Sequence, residues 1–274
     1  MLTLLNNVCG LNTDNLVKPK EHTTIIQDSF DVNPNTRNIY IQVEPQAIWP
    51  LQDKIIQHAH KYSHILTYND VILQKCPNAY KYLFGMTRIL KDDYESIDIH
   101  SKKFMITSVT NDKLFTSGHY FRHTVYYNQH HITSIPVKFY RSTDSKNLPA
   151  IADVPRLGSA NACKIDLFKD SQFSLVLENS RQLNYFTEKL CDCLITKTIP
   201  VYYGCPNISE YFDTTGWIII ENENMLDMIN RMSVLTPDHY MNHIDTVYKN
   251  YEEVKKYLDI EENVNRCLRT MPKY

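Results

Sequence analysis

Residues 173–206 constrain the fold of this chain more than any other stretch. FSLVLE is a short apolar run of the kind found in strands buried on both faces, and ENSRQLN is a polar connection without glycine or proline. The pattern is helical from Tyr185 to Lys197, and IPVYYG is a second buried-strand run closed by Gly204. Two such runs joined by a helix form a βαβ unit, which implies a parallel sheet with helices over its faces. In open sheets of this kind ligands sit beyond the carboxyl ends of the strands, beside helix N-termini whose free N–H groups favour anions. Asn184 is expected as the N-cap, with Thr187 and Glu188 in the first turn. Helical spacing then puts Tyr185, Glu188, Lys189 and Asp192 on one face and Phe186, Leu190, Cys193 and Leu194 on the other. An aromatic ring, a carboxylate and an ammonium would thus face the crevice. An ordinary surface helix carrying a Glu and a Lys satisfies the same pattern.

The rest of the chain reads as scaffold. NIYIQVE (38–44) alternates and ends in Glu44 before Pro45, a strand with a carboxylate at the sheet's carboxyl edge. Further strands are expected at 64–68, 103–109, 135–140 and 216–220. Helices are expected from Pro50, over 69–76, over 118–131 with Arg122 in the first turns and Ser117 as cap, over 223–232, and from Thr236 and Pro237 onward. Residues 1–36 are polar and weakly periodic and receive no assignment beyond one short element. The charged segment 91–102 lacks an apolar stripe and marks a boundary. It divides the chain into an N-terminal α/β domain over 1–100 and a C-terminal α/β domain over 101–274, whose final helix packs back. Residues 141–163 read as a long surface loop near the cleft.

Composition narrows the function. Twenty-nine basic against 31 acidic residues provide no field for a polyanion, so nucleic acid is not an expected partner. No apolar run approaches the roughly 18 residues of a membrane span. MLTLLNNVCG has no basic n-region, so neither a signal peptide nor an anchor is expected and the expected location is cytoplasmic. Seven cysteines without framework spacing suggest reduced thiols, with Cys191 and Cys193 as small buried hydrophobes. With only six glycines, neither G-x-G-x-x-G nor a Walker-type loop can be assembled, so a bound nucleotide would rely on side chains and a helix N-terminus. No Asp-x-Asp occurs, and the pairs His58/His60 and His130/His131 have no nearby carboxylate, so no metal or other cofactor is expected.

Residues 178–189, E-N-S-R-Q-L-N-Y-F-T-E-K, followed by I-P-V-Y-Y-G, resemble the α1,3/α1,4-fucosyltransferase family, glycosyltransferase family 10. That family carries ENS, then Tyr-x-Thr-Glu-Lys, then a (V/I)-P-(V/I) strand ending in glycine. The resemblance implies a GT-B type α/β fold, with two Rossmann-like domains facing across a cleft and the N-terminal one short. It also implies a GDP-fucose donor in the C-terminal domain, a glycan acceptor, and inversion without a metal. Carried over by position, Asn179, Tyr185, Glu188 and Lys189 would contact the nucleotide sugar, with Lys189 on the diphosphate and Glu188 on ribose or fucose hydroxyls. GHYFRH resembles the segment whose arginine grips the diphosphate, which points to Arg122. VEPQ resembles the segment carrying the general base, which points to Glu44. Ser174 and Cys191 depart from animal members, where an aromatic residue and a tryptophan are common.

These assignments suit the chemistry. Departure of GDP leaves two negative charges, which fixed cations stabilise, and inversion needs one base on the opposite face of the sugar. A transferase using another nucleotide sugar, or a nucleotide-sugar-binding protein without catalysis, would present the same donor-side residues.

Overall fold

The computed structural model of the chain describes residues 1–143, 145–151, 154–157 and 161–271, the last range without the side chains of 161–163. The described residues form two compact units. The first comprises Met1–Gly85, Gln182–Tyr185 and Asp259–Tyr274, and the second comprises Met86–Arg181 and Phe186–Leu258.

The first unit is built on five parallel strands, β1 (Leu2–Leu5), β2 (Thr23–Gln27), β3 (Arg37–Ile41), β4 (His64–Thr67) and β5 (Ala79–Lys81), in the order β1-β2-β3-β4-β5. Strands β2 and β4 are buried along their whole length, as parallel strands covered on both faces must be. Ile26, Tyr40, Ile55, Tyr62, Ile65, Ile72 and Cys76 form one core, contributed by three strands and the helices Gln52–Gln57 and Asp70–Lys75. The Asn69 side chain caps the latter helix by accepting from the Val71 and Ile72 amides. The Ile260–Thr270 helix returns to this unit, where Asn263 donates to the Gly85 carbonyl and Asn265 bonds both Asn15 and Val17.

The second unit holds β6 (Lys103–Thr110), β7 (Val137–Arg141), β8 (Ser171–Leu177), β9 (Ile199–Tyr203) and β10 (Ile218–Ile219), all parallel, in the order β10-β9-β8-β6-β7. All seven residues of β8 are buried, as befits the central strand. From β6 the chain moves to β7 on one side and then returns to β8 on the other. The connections therefore diverge between β6 and β8, and the crevice at their carboxyl ends is where such sheets bind ligands.

Several expectations change. Residues 1–36 contain two parallel strands, β1 and β2, which at four and five residues are too short to show a period in the sequence. Strand β3 ends at Ile41, which leaves Glu44 in the loop beyond its carboxyl edge. Residues 86–100, expected with the N-terminal domain, lie within the second unit, where Lys91–Glu95 is a short helix burying Tyr94. Of the 141–163 loop, residues 144, 152–153 and 158–160 lie outside the described residues. Among the described residues no helix is long and apolar enough to cross a membrane. Cys9, Cys76, Cys191, Cys193, Cys205 and Cys267 carry reduced thiols, none of them in a disulfide.

Candidate functional site

The site of the second unit is built around Glu178, the residue after β8. Its carboxylate is fully buried and accepts from the Thr187 amide at 2.8 Å and from the Thr187 hydroxyl at 2.8 and 3.0 Å. The Thr187 hydroxyl also caps the Glu188–Ile195 helix by accepting from the Lys189 amide at 3.3 Å. Lys189 Nζ lies 3.3 Å from Glu178 and 3.2 Å from Glu188. The buried carboxylate thereby fixes the first turn and the lysine on it.

This geometry corrects the expected cap. Asn184 has φ of 61° and cannot start a helix, so the N-cap moves three residues on, to Thr187. Tyr185 consequently does not share a helical face with Glu188, Lys189 and Asp192. It belongs to the first unit, with its ring 5.3 Å from that of Tyr68.

Arg122 lies on the Ser117–Tyr127 helix, which is capped by Thr116 rather than the expected Ser117. The guanidinium is buried and donates to Asn179 Oδ1 at 2.5 Å. The helix comes this close to β8 because residue 118 is glycine. A Cβ there would collide with the Glu178 carbonyl oxygen.

A cavity of about 460 Å³ opens at the carboxyl ends of β6 and β8, and Arg122, Glu188 and Lys189 all line it. The volume falls within the roughly 300–1,000 Å³ of small-molecule sites. Arg88, Lys113 and Lys164 line it as well. Lys164 is paired with the fully buried Asp192 at 2.5 Å, and Asp192 also accepts from the Thr87 hydroxyl and the Arg88 amide. Among the described residues five cations thus line the cavity or its wall against three carboxylates, those of Glu178, Glu188 and Asp192, an excess of positive charge. Burial alone would raise the Glu188 carboxyl, but Lys189, Lys164 and Arg88 overcome it and hold Glu188 ionised, well below the usual carboxylate range. The Lys189 ammonium is disfavoured by burial but raised above its ordinary value by Glu188 and Glu178. His119 is pulled down to about 3 by burial and by the nearby Arg122 and Lys189, so it is neutral at physiological pH.

Of the residues expected from the sequence, Arg122, Glu188 and Lys189 share this cavity, and Asn179 is joined to it through Arg122. Glu44 and Tyr185 lie in the first unit. Sequence reasoning misses Glu178, Lys113, Lys164 and Arg88 as site residues, and gives Asp192 no more than a place on the helical face of Glu188 and Lys189. Glu178 and Lys113 carry a usable signal, since each follows the end of a buried strand, as Glu44 does. Among the described residues no cluster of three His, Cys, Asp or Glu could hold a metal ion.

A family model described as glycosyltransferase family 10 (fucosyltransferase), C-terminal part, matches residues 100–271, more than half of the sequence. The chain belongs to glycosyltransferase family 10. Among curated proteins this family member is 27% identical over 88 residues to the alpha-(1,3)-fucosyltransferase FucT of Helicobacter pylori, an alignment covering 32% of this chain and 18% of that protein. The chain therefore matches less than a fifth of that relative's length. Among solved structures it is similar to an alpha1,3-fucosyltransferase with GDP, with a TM-score of 0.51 and 14% identity over 91% of this chain and 79% of that one. It is also similar to the alpha,alpha-trehalose-phosphate synthase (UDP-forming) of Burkholderia xenovorans, with a TM-score of 0.58 and 10% identity over 91% and 73%. These likenesses show the fold, two parallel-sheet α/β units of the GT-B type.

Thr187 offers a test of how the family 10 site is assembled. Thr187→Ala removes the cap and a hydrogen bond to a buried carboxylate, and is expected to lower the unfolding free energy by about 2–3 kcal/mol. Thr187→Ser should stay within about 1 kcal/mol of the native protein in urea denaturation.

Proposed function

We propose that this protein transfers fucose from GDP-fucose to a hydroxyl of a glycan acceptor, with inversion at the sugar carbon and without a metal. The observation that carries the reading is the convergence of Arg122, Glu188 and Lys189 on one positive cavity at the switch point of the second sheet. In this reading Arg122 and Lys189 bind the diphosphate and stabilise its charge as the sugar leaves. The arginine provides a planar bidentate grip and the lysine a point charge. Asn179 sets the guanidinium orientation, and Glu188, held ionised, accepts from ribose or sugar hydroxyls. Glu44 takes the proton from the acceptor hydroxyl.

Calorimetric titration tests the donor: GDP and GDP-fucose should bind and UDP-glucose should not. If neither guanine nucleotide binds at millimolar concentration, the reading fails, and binding of UDP-glucose alone would redirect it to another nucleotide sugar. Glu44→Gln should reduce GDP release from GDP-fucose across an oligosaccharide acceptor panel by about 10²- to 10⁴-fold while GDP affinity stays unchanged.

A further inference from the structure

Glu44 sits three residues past β3, outside any strand or helix, yet its backbone is held on both sides of the Cα. Its amide donates to Asp28 Oδ2 at 2.7 Å, and its carbonyl accepts from the Tyr68 hydroxyl at 2.7 Å. The Asp28 carboxylate also accepts from the Val43 amide at 3.1 Å and the Tyr40 hydroxyl at 3.3 Å, so one buried side chain gathers the loop. Asp28 reaches it from a left-handed backbone with φ of 43°, a conformation that side-chain-bearing residues enter at a cost. Tyr68 is fully buried, with its ring against Tyr185. The Tyr68 carbonyl accepts from Asn184 Nδ2 at 3.0 Å, and the same amide donates to Asp70 at 3.0 Å. Asn184 is left-handed too. Two of the four non-glycine residues with positive φ among the described residues therefore serve this one loop.

We propose that Asp28 and Tyr68 are positioning residues for Glu44, clamping the two peptide groups that flank its Cα, and that Asn184 and Tyr185 of the family motif brace the Tyr68 side. The inference rests on Glu44 being the base. Its physical content is that a group on a loop gains the fixed geometry of a strand residue only if its backbone is tied, and a proton acceptor displaced by about 1 Å loses much of its rate. The motif then acts twice: Glu188 and Lys189 line the cavity of the second unit, while Asn184 and Tyr185 order the base loop of the first.

The clamp has a signature independent of turnover. Burial, and then the charge of Glu44, push the Asp28 carboxyl up to about 6, against the pull of the Glu44 and Val43 amides. The titratable groups near Asp28 are the Glu44 carboxyl, the Tyr40, Tyr68 and Tyr82 hydroxyls and the Cys9 thiol, and burial raises each of those hydroxyls and the thiol well clear of neutral pH. The amide proton of Glu44, followed by NMR from pH 5 to 8, should shift with a midpoint near 6, and Asp28→Asn should abolish the shift. In turnover of GDP-fucose with the best acceptor of the panel, Asp28→Asn and Tyr68→Phe should each lower kcat at least tenfold and leave GDP affinity unchanged. Neither should lower the residual rate of a Glu44→Gln protein further. A Glu44 amide resonance that Asp28→Asn leaves unmoved, or full kcat in both variants while Glu44→Gln is crippled, overturns the clamp and leaves the base standing. Full activity in Glu44→Gln overturns the base itself. Should Asp28→Asn fail to fold, Tyr68→Phe, which deletes one oxygen, decides the matter alone.

Discussion

Lys189→Ala is expected to lower GDP affinity by at least about a hundredfold, the equivalent of roughly 3 kcal/mol, and to destabilise the second unit as well. Both effects follow from one geometry. The ammonium lies on the cavity wall and at the same time within 3.3 Å of the fully buried Glu178. Removing one partner of a buried pair leaves the other charge uncompensated, at a cost of about 3–5 kcal/mol. Here the Thr187 amide and hydroxyl remain on Glu178, so the lower end of that range is expected. The two effects separate in the double variant Lys189→Ala with Glu178→Gln. Neutralising Glu178 should restore most of the stability seen in urea denaturation and none of the GDP binding seen by calorimetry. Unaltered GDP affinity in Lys189→Ala would remove this residue from the proposed phosphate site.

Gly118→Ala is expected to be almost as damaging although it adds one methyl group and touches no ligand. The new Cβ would collide with the Glu178 carbonyl oxygen and meet the Asn179 carbonyl oxygen at 2.6 Å, both backbone atoms that no rotamer change can move. The Ser117–Tyr127 helix must therefore retreat from β8, breaking the bond from the Gly118 amide to the Asn179 carbonyl and carrying Arg122 away from Asn179 Oδ1. Overpacking of this kind costs about 1–3 kcal/mol, and the shift of Arg122 should weaken GDP binding about tenfold or more. Gly10→Ala is the contrasting case. Gly10 has φ of 78°, but a methyl group there would meet nothing within 4 Å, so only backbone strain of about 1 kcal/mol is expected and GDP binding should be untouched.

The parts of the site legible in the sequence were those that follow from local periodicity. FSLVL and IPVYY can hardly be anything but buried strands, so the βαβ unit, its parallel sheet and the placement of Glu188 and Lys189 at a helix start all followed. Arg122 needed the motif resemblance as well, since nothing in GHYFRH itself shows that the helix packs against β8. Tyr185 was misplaced because apolar spacing runs straight through a helix cap: the period does not register that Asn184 is left-handed or that Glu178 holds Thr187. Strand β2 shows no alternation because it is buried on both faces, and the half-buried edge strand β1, four residues long, is too short to show a period. The Asp28 carboxylate was invisible for another reason, since its contact with the Glu44 amide spans 16 positions and depends on the parallel register of β2 and β3.

The division of the chain also fixes an order of assembly. The second unit is complete once residue 258 has been made, whereas the first still lacks the Asp259–Tyr274 segment and draws the four residues 182–185 from beyond its own sheet. During synthesis the segment that begins first is thus the last to close, with Tyr68 waiting for Asn184 and Gly85 waiting for Asn263. A chain truncated after residue 258 should hold a protease-resistant second unit and a protease-sensitive first unit, the reverse of the usual amino-to-carboxyl order.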